Sequence, residues 1–170
     1  MVKPGLGTLA PMTETPNPRL SPNFDLARLT ASDTAREQGI PNQPGPEHLA
    51  HLRRLALALE EVQALLGAPL IITSAYRSPQ LNAAVGGVPT SRHALGLAAD
   101  LVCGVYGPPL TVARAIAGSA IAYDQVIHEY GRWVHLGLAP NGETPRRQLL
   151  TICSQAAGYL DGLHPCVMGS

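Results

Sequence analysis

The sequence lacks an excess of charge of either sign. Twelve basic and twelve acidic side chains cancel to a formal charge of zero, and charged residues make up only 14% of the 170 residues. A protein that binds nucleic acid through a strongly basic surface is therefore excluded, as is a protein with an acidic solvating tail. The sequence also lacks any run close to the roughly 18 to 20 apolar residues of a transmembrane helix, so we expect no stable membrane insertion.

The first residues lack the pattern of a secretory signal. Residues 1–20 contain one lysine, four prolines and no apolar run, whereas a signal peptide has a basic start followed by an apolar stretch. We therefore expect synthesis in the cytoplasm without a signal peptide, and any export must use another route. The prolines predict that residues 1–20 form a flexible arm.

Cysteine is also scarce. The three cysteines, Cys103, Cys153 and Cys166, are odd in number and show no Cys-x-x-Cys spacing, so they do not form a disulfide framework. We expect three unpaired thiols. A pair between Cys153 and Cys166 is the alternative if the protein reaches an oxidising compartment.

Apolar residues, in contrast, make up 45% of the chain, which is sufficient for a sizeable core. Glycine and proline make up about a fifth of the chain, which favours a loop-rich fold over a helical bundle. We expect one domain over residues 21–140. Residues 141–170 are expected to form a C-terminal helix, weakly indicated over 146–160, and a tail that packs on the domain or trails from it.

The clearest single element is a helix over Pro46–Leu66, where apolar residues recur with a 3.6-residue period and Gly67 follows the last turn. Four strands are predicted, over 69–76, 97–103, 124–130 and 133–138. A tight turn at Gly131 makes the last two strands a hairpin. Because helices come first and strands later, we expect an α+β fold with a small antiparallel sheet and helices packed on one side.

Two histidines and an aspartate stand in unusual surroundings. Asp100 lies within an otherwise apolar strand, His93 lies seven residues before it, and His135 lies in the last strand of the hairpin. A buried carboxylate needs a partner or a cation, and imidazole and carboxylate groups are suitable zinc ligands. These three side chains are therefore candidates for one metal site.

His93 and Asp100 can bind one ion only if the chain bends between them. Ligand atoms on one zinc ion lie about 3 to 4 Å apart. A straight helix would separate the two Cα atoms by about 10 Å, and a straight strand would separate them by over roughly 20 Å on opposite faces. Gly96 supplies the backbone freedom for a bend. The alternative to a metal site is that His93 lies on a surface loop and Asp100 caps a neighbouring element.

These residues belong to a longer pattern. Ser-x-His-x-x-Gly-x-Ala-x-Asp over residues 91–100, with Trp-x-His at 133–135, resembles the zinc metallopeptidases of the D-alanyl-D-alanine carboxypeptidase family. That family includes phage endolysins and vancomycin-resistance dipeptidases, and it shares its fold with the hedgehog signalling domain. Residues 20–24 and 74–78 also resemble it. The resemblance spans about residues 20–138 and implies a fold of the hedgehog and DD-peptidase type.

The resemblance also implies a role for each matching residue. His93, Asp100 and His135 match the three zinc ligands. Arg77 matches an arginine that binds the substrate carboxylate or the developing oxyanion, a task suited to a guanidinium group. Ser91 matches a small polar residue that lines the site.

Two aromatic residues are further candidates for contact with the substrate. Tyr76 immediately precedes Arg77, and Trp133 lies two residues before His135. For Trp133, packing in the core is an equal alternative, because it is the only tryptophan in the chain.

The general base is where the sequence departs from the family pattern. Much of the family has an acidic residue three positions before the last histidine, but this chain has Arg132, which cannot accept a proton. We predict Glu129 as the base, with His128 as the alternative. A three-residue turn would pair Glu129 with Trp133 and place it on the face of His135, whereas a two-residue turn would place His128 opposite His135.

The expected function is a zinc-dependent peptidase that hydrolyses the peptide moiety of bacterial peptidoglycan. Carboxypeptidase and endopeptidase specificity, on D,D- or L,D-linked bonds, remain open. The expected cofactor is Zn²⁺, and the expected partner is the stem peptide of peptidoglycan. The protein is expected to be a monomer. It is expected to act at the cell wall, and release through a holin is the favoured route. The alternative, supported by Arg132, is an inactive peptidoglycan-binding or phage assembly module that keeps the fold and a zinc site.

Overall fold

A computed structural model describes residues 17–166 of the chain. Most of the arm predicted over residues 1–20 therefore lies outside the described residues. Its last residues, 17–20, belong to the folded domain: the carbonyl of Pro18 accepts a hydrogen bond from the amide of Leu26 at 3.0 Å, and Leu20 packs against the core.

Five helices and six strands form within residues 17–166. The helices are α1 (Leu26–Thr30), α2 (Asp33–Gln38), α3 (Pro46–Leu66), α4 (Pro79–Ala84) and α5 (Pro109–Ala117). The strands are β1 (Ile71–Ser74), β2 (Ala98–Val102), β3 (Gln125–Glu129), β4 (Trp133–Gly137), β5 (Gln148–Ile152) and β6 (Tyr159–Asp161). The long helix predicted over Pro46–Leu66 is confirmed at both ends. None of these helices is long and apolar enough to cross a membrane.

The strands form one six-stranded sheet in the order β1-β2-β4-β3-β5-β6. All neighbouring pairs are antiparallel except β3 and β5, which run parallel. The α+β fold is therefore confirmed, with one parallel pair added to the antiparallel sheet that the sequence predicted.

The core lies between one face of this sheet and the helices α3 and α5. Leu59 of α3 and Ile116 of α5 are fully buried there, together with Leu101 of β2 and Leu136 of β4. Successive side chains of a strand point to opposite faces of the sheet. The neighbours of Leu101 and Leu136 in sequence therefore lie on the opposite face, where they form the site described below.

Residues 141–166 contain no helix, and the C-terminal helix predicted over 146–160 is wrong. The short apolar run of β5 includes Thr151 and Ile152, which are β-branched and favour a strand. This run pairs with the otherwise open edge of β3, with Gln125 beside Gln148 and Glu129 beside Ile152. Backbone hydrogen bonds at that edge and burial in the sheet outweigh a weak helical pattern.

A disulfide joins Cys153 to Cys166. The expectation of unpaired thiols is therefore wrong for these two residues, while Cys103 is free and buried in the core. The disulfide links the end of β5 to the segment that follows β6. It therefore closes a covalent loop over residues 153–166, which contains β6 and its connection to β5.

Candidate metal centre and its cleft

Three elements bring the predicted zinc ligands together. Asp100 in the middle of β2 lies directly opposite His135 in β4, so their side chains share one face of the sheet. His93 comes from the turn that precedes β2. Gly96 in this turn has a φ of +73°, and a Cβ atom there would lie 3.1 Å from the carbonyl oxygen of His48 in α3. The predicted bend at Gly96 is therefore present, and the close approach to α3 also favours glycine.

The three side chains meet in a tight triangle. Nε2 of His93 lies 3.1 Å from Oδ1 of Asp100 and 3.1 Å from Nδ1 of His135, and this Nδ1 lies 3.0 Å from the same Oδ1. All three residues are buried. Two imidazole nitrogens and one carboxylate oxygen at these separations match three corners of a tetrahedral zinc site, whose bonds are about 2 Å long. Within residues 17–166, this is the group of His, Cys, Asp and Glu side chains that could hold a metal ion.

The protonation of His93 also suits a cation. Its Nδ1 lies 2.7 Å from the carbonyl oxygen of Ala75. Because a carbonyl oxygen only accepts hydrogen bonds, Nδ1 carries the proton and the neutral ring presents a lone pair at Nε2. Burial lowers the pKa of His93, against the opposing charge of Asp100, and so favours this neutral form. Because the lone pair of Nε2 faces the carboxylate of Asp100, a proton or a metal ion is needed between the two atoms. The contact with Ala75 fixes the orientation of the His93 ring, as hydrogen bonds to the outer nitrogen of metal-binding histidines do.

Arg77 holds the other side of Asp100. Burial alone would raise the pKa of Asp100, but its contacts with the His93 and His135 imidazoles hold it well below the usual range. The second carboxylate oxygen, Oδ2, accepts a hydrogen bond from Nη2 of Arg77 at 2.8 Å, and Nε of Arg77 donates to the Ser74 hydroxyl at 2.9 Å. Oδ1 therefore faces the two histidines while Arg77 fixes the carboxylate plane. The sequence had indicated only a role for Arg77 at the substrate carboxylate or the developing oxyanion, not this contact with Asp100.

The triangle lies in the wall of an open cleft of about 1180 Å³. Six of the residues predicted from the sequence line this cleft: Arg77, Ser91, His93, Glu129, Trp133 and His135. Asp100 lies behind them with 5% of its surface exposed.

Glu129 lies on the same face of the sheet as His135. The β3–β4 turn has three residues, since Glu129 pairs with Trp133 and Ile127 pairs with His135. Nε1 of Trp133 donates a hydrogen bond to Oε2 of Glu129 at 2.9 Å, which orients the carboxylate. Burial raises the pKa of Glu129, and the charge on Asp100 adds to this rise against the opposing effect of His135. A partly desolvated carboxylate with a raised pKa suits a general base.

The three-residue turn excludes the arrangement in which His128 faces the site. His128 is buried on the opposite face of the sheet, where its Nδ1 lies 2.9 Å from the carbonyl oxygen of His164.

The two aromatic candidates have different surroundings. Tyr76 is 3% exposed and lies in the core, with its ring 5.2 Å from that of His48. It lies outside the cleft, which corrects the expected contact with substrate: the chain turns after β1 so that Tyr76 packs against α3 while Arg77 faces the site. Trp133 is half-buried in the cleft wall, with its ring 5.4 Å from that of Tyr130.

Comparison with known protein families agrees with this geometry. The family model for peptidase M15 matches residues 22–137, about two thirds of the chain. The chain belongs to the peptidase M15 family. The resemblance seen in the sequence is thereby confirmed, and membership supports a zinc-dependent metallopeptidase. A comparison with curated proteins found no match.

The peptidase M15 match ends at residue 137, but the cleft wall continues beyond it. Ile152 and Tyr159 from β5 and β6, and Arg146 before β5, line the cleft from outside the matched region. Arg92, beside His93, lines it from within that region. The sequence analysis missed all four. Arg92 stands at a position that the motif leaves unspecified, and the other three lie in the segment that was predicted to be a helix. The β-branched pair Thr151 and Ile152 was the signal that could have indicated a strand there.

Proposed function

We propose that this chain is a zinc-dependent peptidase that hydrolyses the peptide moiety of bacterial peptidoglycan, with His93, Asp100 and His135 as the zinc ligands. The observation that carries the proposal is the triangle of three ligand atoms, separated by 3.0–3.1 Å, in the wall of a cleft. Membership of the peptidase M15 family supports the choice of zinc and of a peptide substrate.

Glu129 is the proposed general base. When zinc is bound, it polarises the scissile carbonyl and lowers the pKa of water, so that a nucleophile forms near neutral pH. Glu129 accepts the proton of the attacking water and passes it to the leaving amine. The Trp133 indole occupies only Oε2, so Oε1 of Glu129 is available for this proton. Arg132 at the family's usual acidic position therefore does not deprive the site of a base.

Arg77 has two proposed tasks. Through Nη2 it keeps Asp100 oriented, and its remaining N–H groups can bind a substrate carboxylate or the developing oxyanion, because Arg77 also lines the cleft. Ser91 supports the first ligand, since its hydroxyl oxygen accepts a hydrogen bond from the amide of His93 at 3.3 Å.

We also propose that the protein acts at the cell wall, as an endolysin or a wall-remodelling enzyme. The disulfide between Cys153 and Cys166 supports action outside the cytoplasm, because disulfides persist in oxidising compartments.

Digestion of purified peptidoglycan tests the proposed function. We expect soluble muropeptides to be released, release to stop when a chelator removes the metal, and zinc to restore it. Mass spectrometry of the products identifies the cleaved bond and so distinguishes carboxypeptidase from endopeptidase action. Zinc-loaded protein that sediments with peptidoglycan but leaves every peptide intact would instead support the inactive binding module.

A further inference from the structure

A second group of charged side chains lies at the cleft, where Arg92 and Arg146 line the wall and Asp124 is buried behind them. Asp124 directly precedes β3 and is 2% exposed. Its Oδ1 accepts a hydrogen bond from Nε of Arg146 at 3.0 Å, its Oδ2 accepts one from Nη2 of Arg146 at 2.6 Å, and Nη2 of Arg92 lies 3.6 Å from Oδ2. The Arg146 hydrogen bonds hold the pKa of Asp124 below its usual range in spite of burial, so the carboxylate is ionised.

The charges in this group do not cancel. Two guanidinium groups share one carboxylate, which leaves one positive charge unmatched within the group. The side chain of Arg92 is 25% exposed and that of Arg146 is 54% exposed, and both line the cleft. Within residues 17–166, Nη1 of Arg146 and the whole guanidinium group of Arg92 make no other hydrogen bond. N–H groups that face the cleft are therefore available to a ligand.

The neighbouring Arg147 shows what a purely structural arginine looks like in this fold. Its guanidinium group donates hydrogen bonds to the carbonyls of Ile121, Ala117 and Ser119, and it lies 4.3 Å from the ring centre of Tyr123. Arg147 does not line the cleft, and its hydrogen bonds hold the loop before β3. Arg146, by contrast, makes its side-chain hydrogen bonds to Asp124 alone.

The position of the group relative to the metal centre suits an extended peptide. Ile127 lies opposite His135, and Asp124 comes three residues before Ile127. At about 3.3 Å per residue, Asp124 lies roughly 10 Å along the strand from the metal ligands. An extended peptide covers the same distance in about three residues. Glu129 lies in the opposite direction along β3, so Asp124 and the proposed base lie on opposite sides of Ile127 along the strand.

We propose that Arg92 and Arg146, oriented by the buried carboxylate of Asp124, form a subsite that binds a carboxylate of the substrate peptide two or three residues from the scissile bond. Paired guanidinium groups bind carboxylates through several parallel hydrogen bonds. The inference rests on the proposed function and adds a substrate class to it, namely stem peptides with a free rather than an amidated carboxyl group at that position. Arg146 lies outside the region matched by the peptidase M15 family, so half of the subsite comes from the C-terminal segment.

The test uses the zinc-loaded full-length protein and a set of synthetic stem peptides in which each carboxyl group in turn is amidated. Amidation of one particular carboxyl group is expected to raise KM about tenfold or more, as the loss of one charge-assisted hydrogen bond does, with little change in kcat. Arg92→Gln is the decisive variant, because it leaves the Arg146–Asp124 ion pair intact. It should raise KM for the free peptide to that of the amidated peptide. Arg146→Lys, which keeps the charge but loses the two-point contact, should give a smaller rise.

Arg53→Gln is the matched control, since Arg53 is exposed on α3 and lies outside the cleft. This control should discriminate between the peptides as the wild type does. Zinc content and melting temperature, measured for every variant, exclude a loss of the metal or of the fold. The subsite is disproved if the wild type ignores amidation at every position, or if Arg92→Gln raises KM equally for free and amidated peptides.

Failure of the proposed function would look different. If the wild type cleaves none of the peptides, the proposed activity is wrong, and calorimetry with the same peptides still tests the subsite. Tighter binding of one free peptide than of its amidated form, abolished by Arg92→Gln, would support the subsite. Equal affinities would overturn it.

Discussion

Replacement of Glu129 by glutamine separates chemistry from metal binding and from the fold. Glutamine has the same shape and keeps a side-chain oxygen that can accept the hydrogen bond from the Trp133 indole, now 2.9 Å from Oε2. It removes only the ability to accept a proton at neutral pH. The three proposed zinc ligands are unchanged, so zinc content should equal that of the wild type.

The expected loss of activity is large. General base catalysis contributes about 10² to 10⁴ in rate, so kcat for release of muropeptides should fall by that factor while KM changes little. The assay is product quantification by liquid chromatography, with zinc measured on the same samples by mass spectrometry. Glu61→Gln, an exposed position on α3, is the matched control and should retain full activity.

The pH dependence of folding stability tests the raised pKa of Glu129 independently of activity. Burial raises the pKa of Glu129, so in zinc-free protein the folded state binds the proton more tightly than the unfolded state does. The stability contributed by the protonated form is complete below the ordinary pKa of a glutamate and is lost as pH rises through the raised pKa. The Glu129→Gln variant has no carboxyl group at this position that titrates, so it does not lose stability in this way. The melting temperature of Glu129→Gln relative to the wild type should therefore increase as the pH rises above the ordinary pKa of a glutamate.

Two results would refute this reasoning. Full activity in Glu129→Gln with normal zinc content would show that another group takes the proton. A constant difference in melting temperature between variant and wild type across this pH range would show that the carboxyl group is not desolvated as the structure indicates.

Three further perturbations test the parts that support the site. His93→Ala should abolish zinc binding, measured by metal analysis after dialysis, and an unchanged zinc content would rule out His93 as a ligand. Gly96→Ala should lower the free energy of unfolding, measured by denaturation, by about 1–2 kcal/mol for the left-handed backbone alone. It should also weaken zinc binding, measured by competition with a chelator, because it moves His93. Wild-type values for both would contradict the role of the bend. Replacement of Cys153 and Cys166 by serine should cost up to about 3 kcal/mol, because the disulfide closes a short loop, and should raise KM because Cys153 lines the cleft. An unchanged melting temperature and KM would show that the hairpin holds its position without the disulfide.

The sequence predicted the elements that local patterns specify. The period of apolar residues and the following Gly67 defined α3 correctly, and the turn signal at Gly131 predicted the β3–β4 hairpin. The bend at Gly96 followed from a requirement of distance: two ligands seven residues apart can meet at one ion only if the chain turns. These predictions succeeded because each depends on residues that are close in sequence.

The predictions that failed depended on contacts between distant residues. The choice between strand and helix for residues 148–152 was decided by the free edge of β3, which lies more than 20 residues earlier. The burial of Tyr76 was decided by α3, which packs over it. The disulfide depended on the β5–β6 hairpin, which brings the Cα atoms of Cys153 and Cys166 to 5.2 Å. Apart from the β-branched pair Thr151 and Ile152 in β5, no local pattern indicates these contacts.

In the proposed function, the C-terminal segment takes part in substrate recognition, because its residues line the cleft. The region matched by the peptidase M15 family supplies the metal centre, Glu129 and Arg77, whereas β5, β6 and Arg146 add a second wall to the same cleft. The proposed chemistry and the proposed recognition are thus assigned to two stretches of the chain that meet along the β3–β5 pairing. Because Arg146 approaches Asp124 through both its backbone amide and its side chain, the second wall is fixed to the first at the end of the cleft remote from Glu129. Changes in residues 141–166 should therefore alter which peptides bind before they alter the rate of the chemical step.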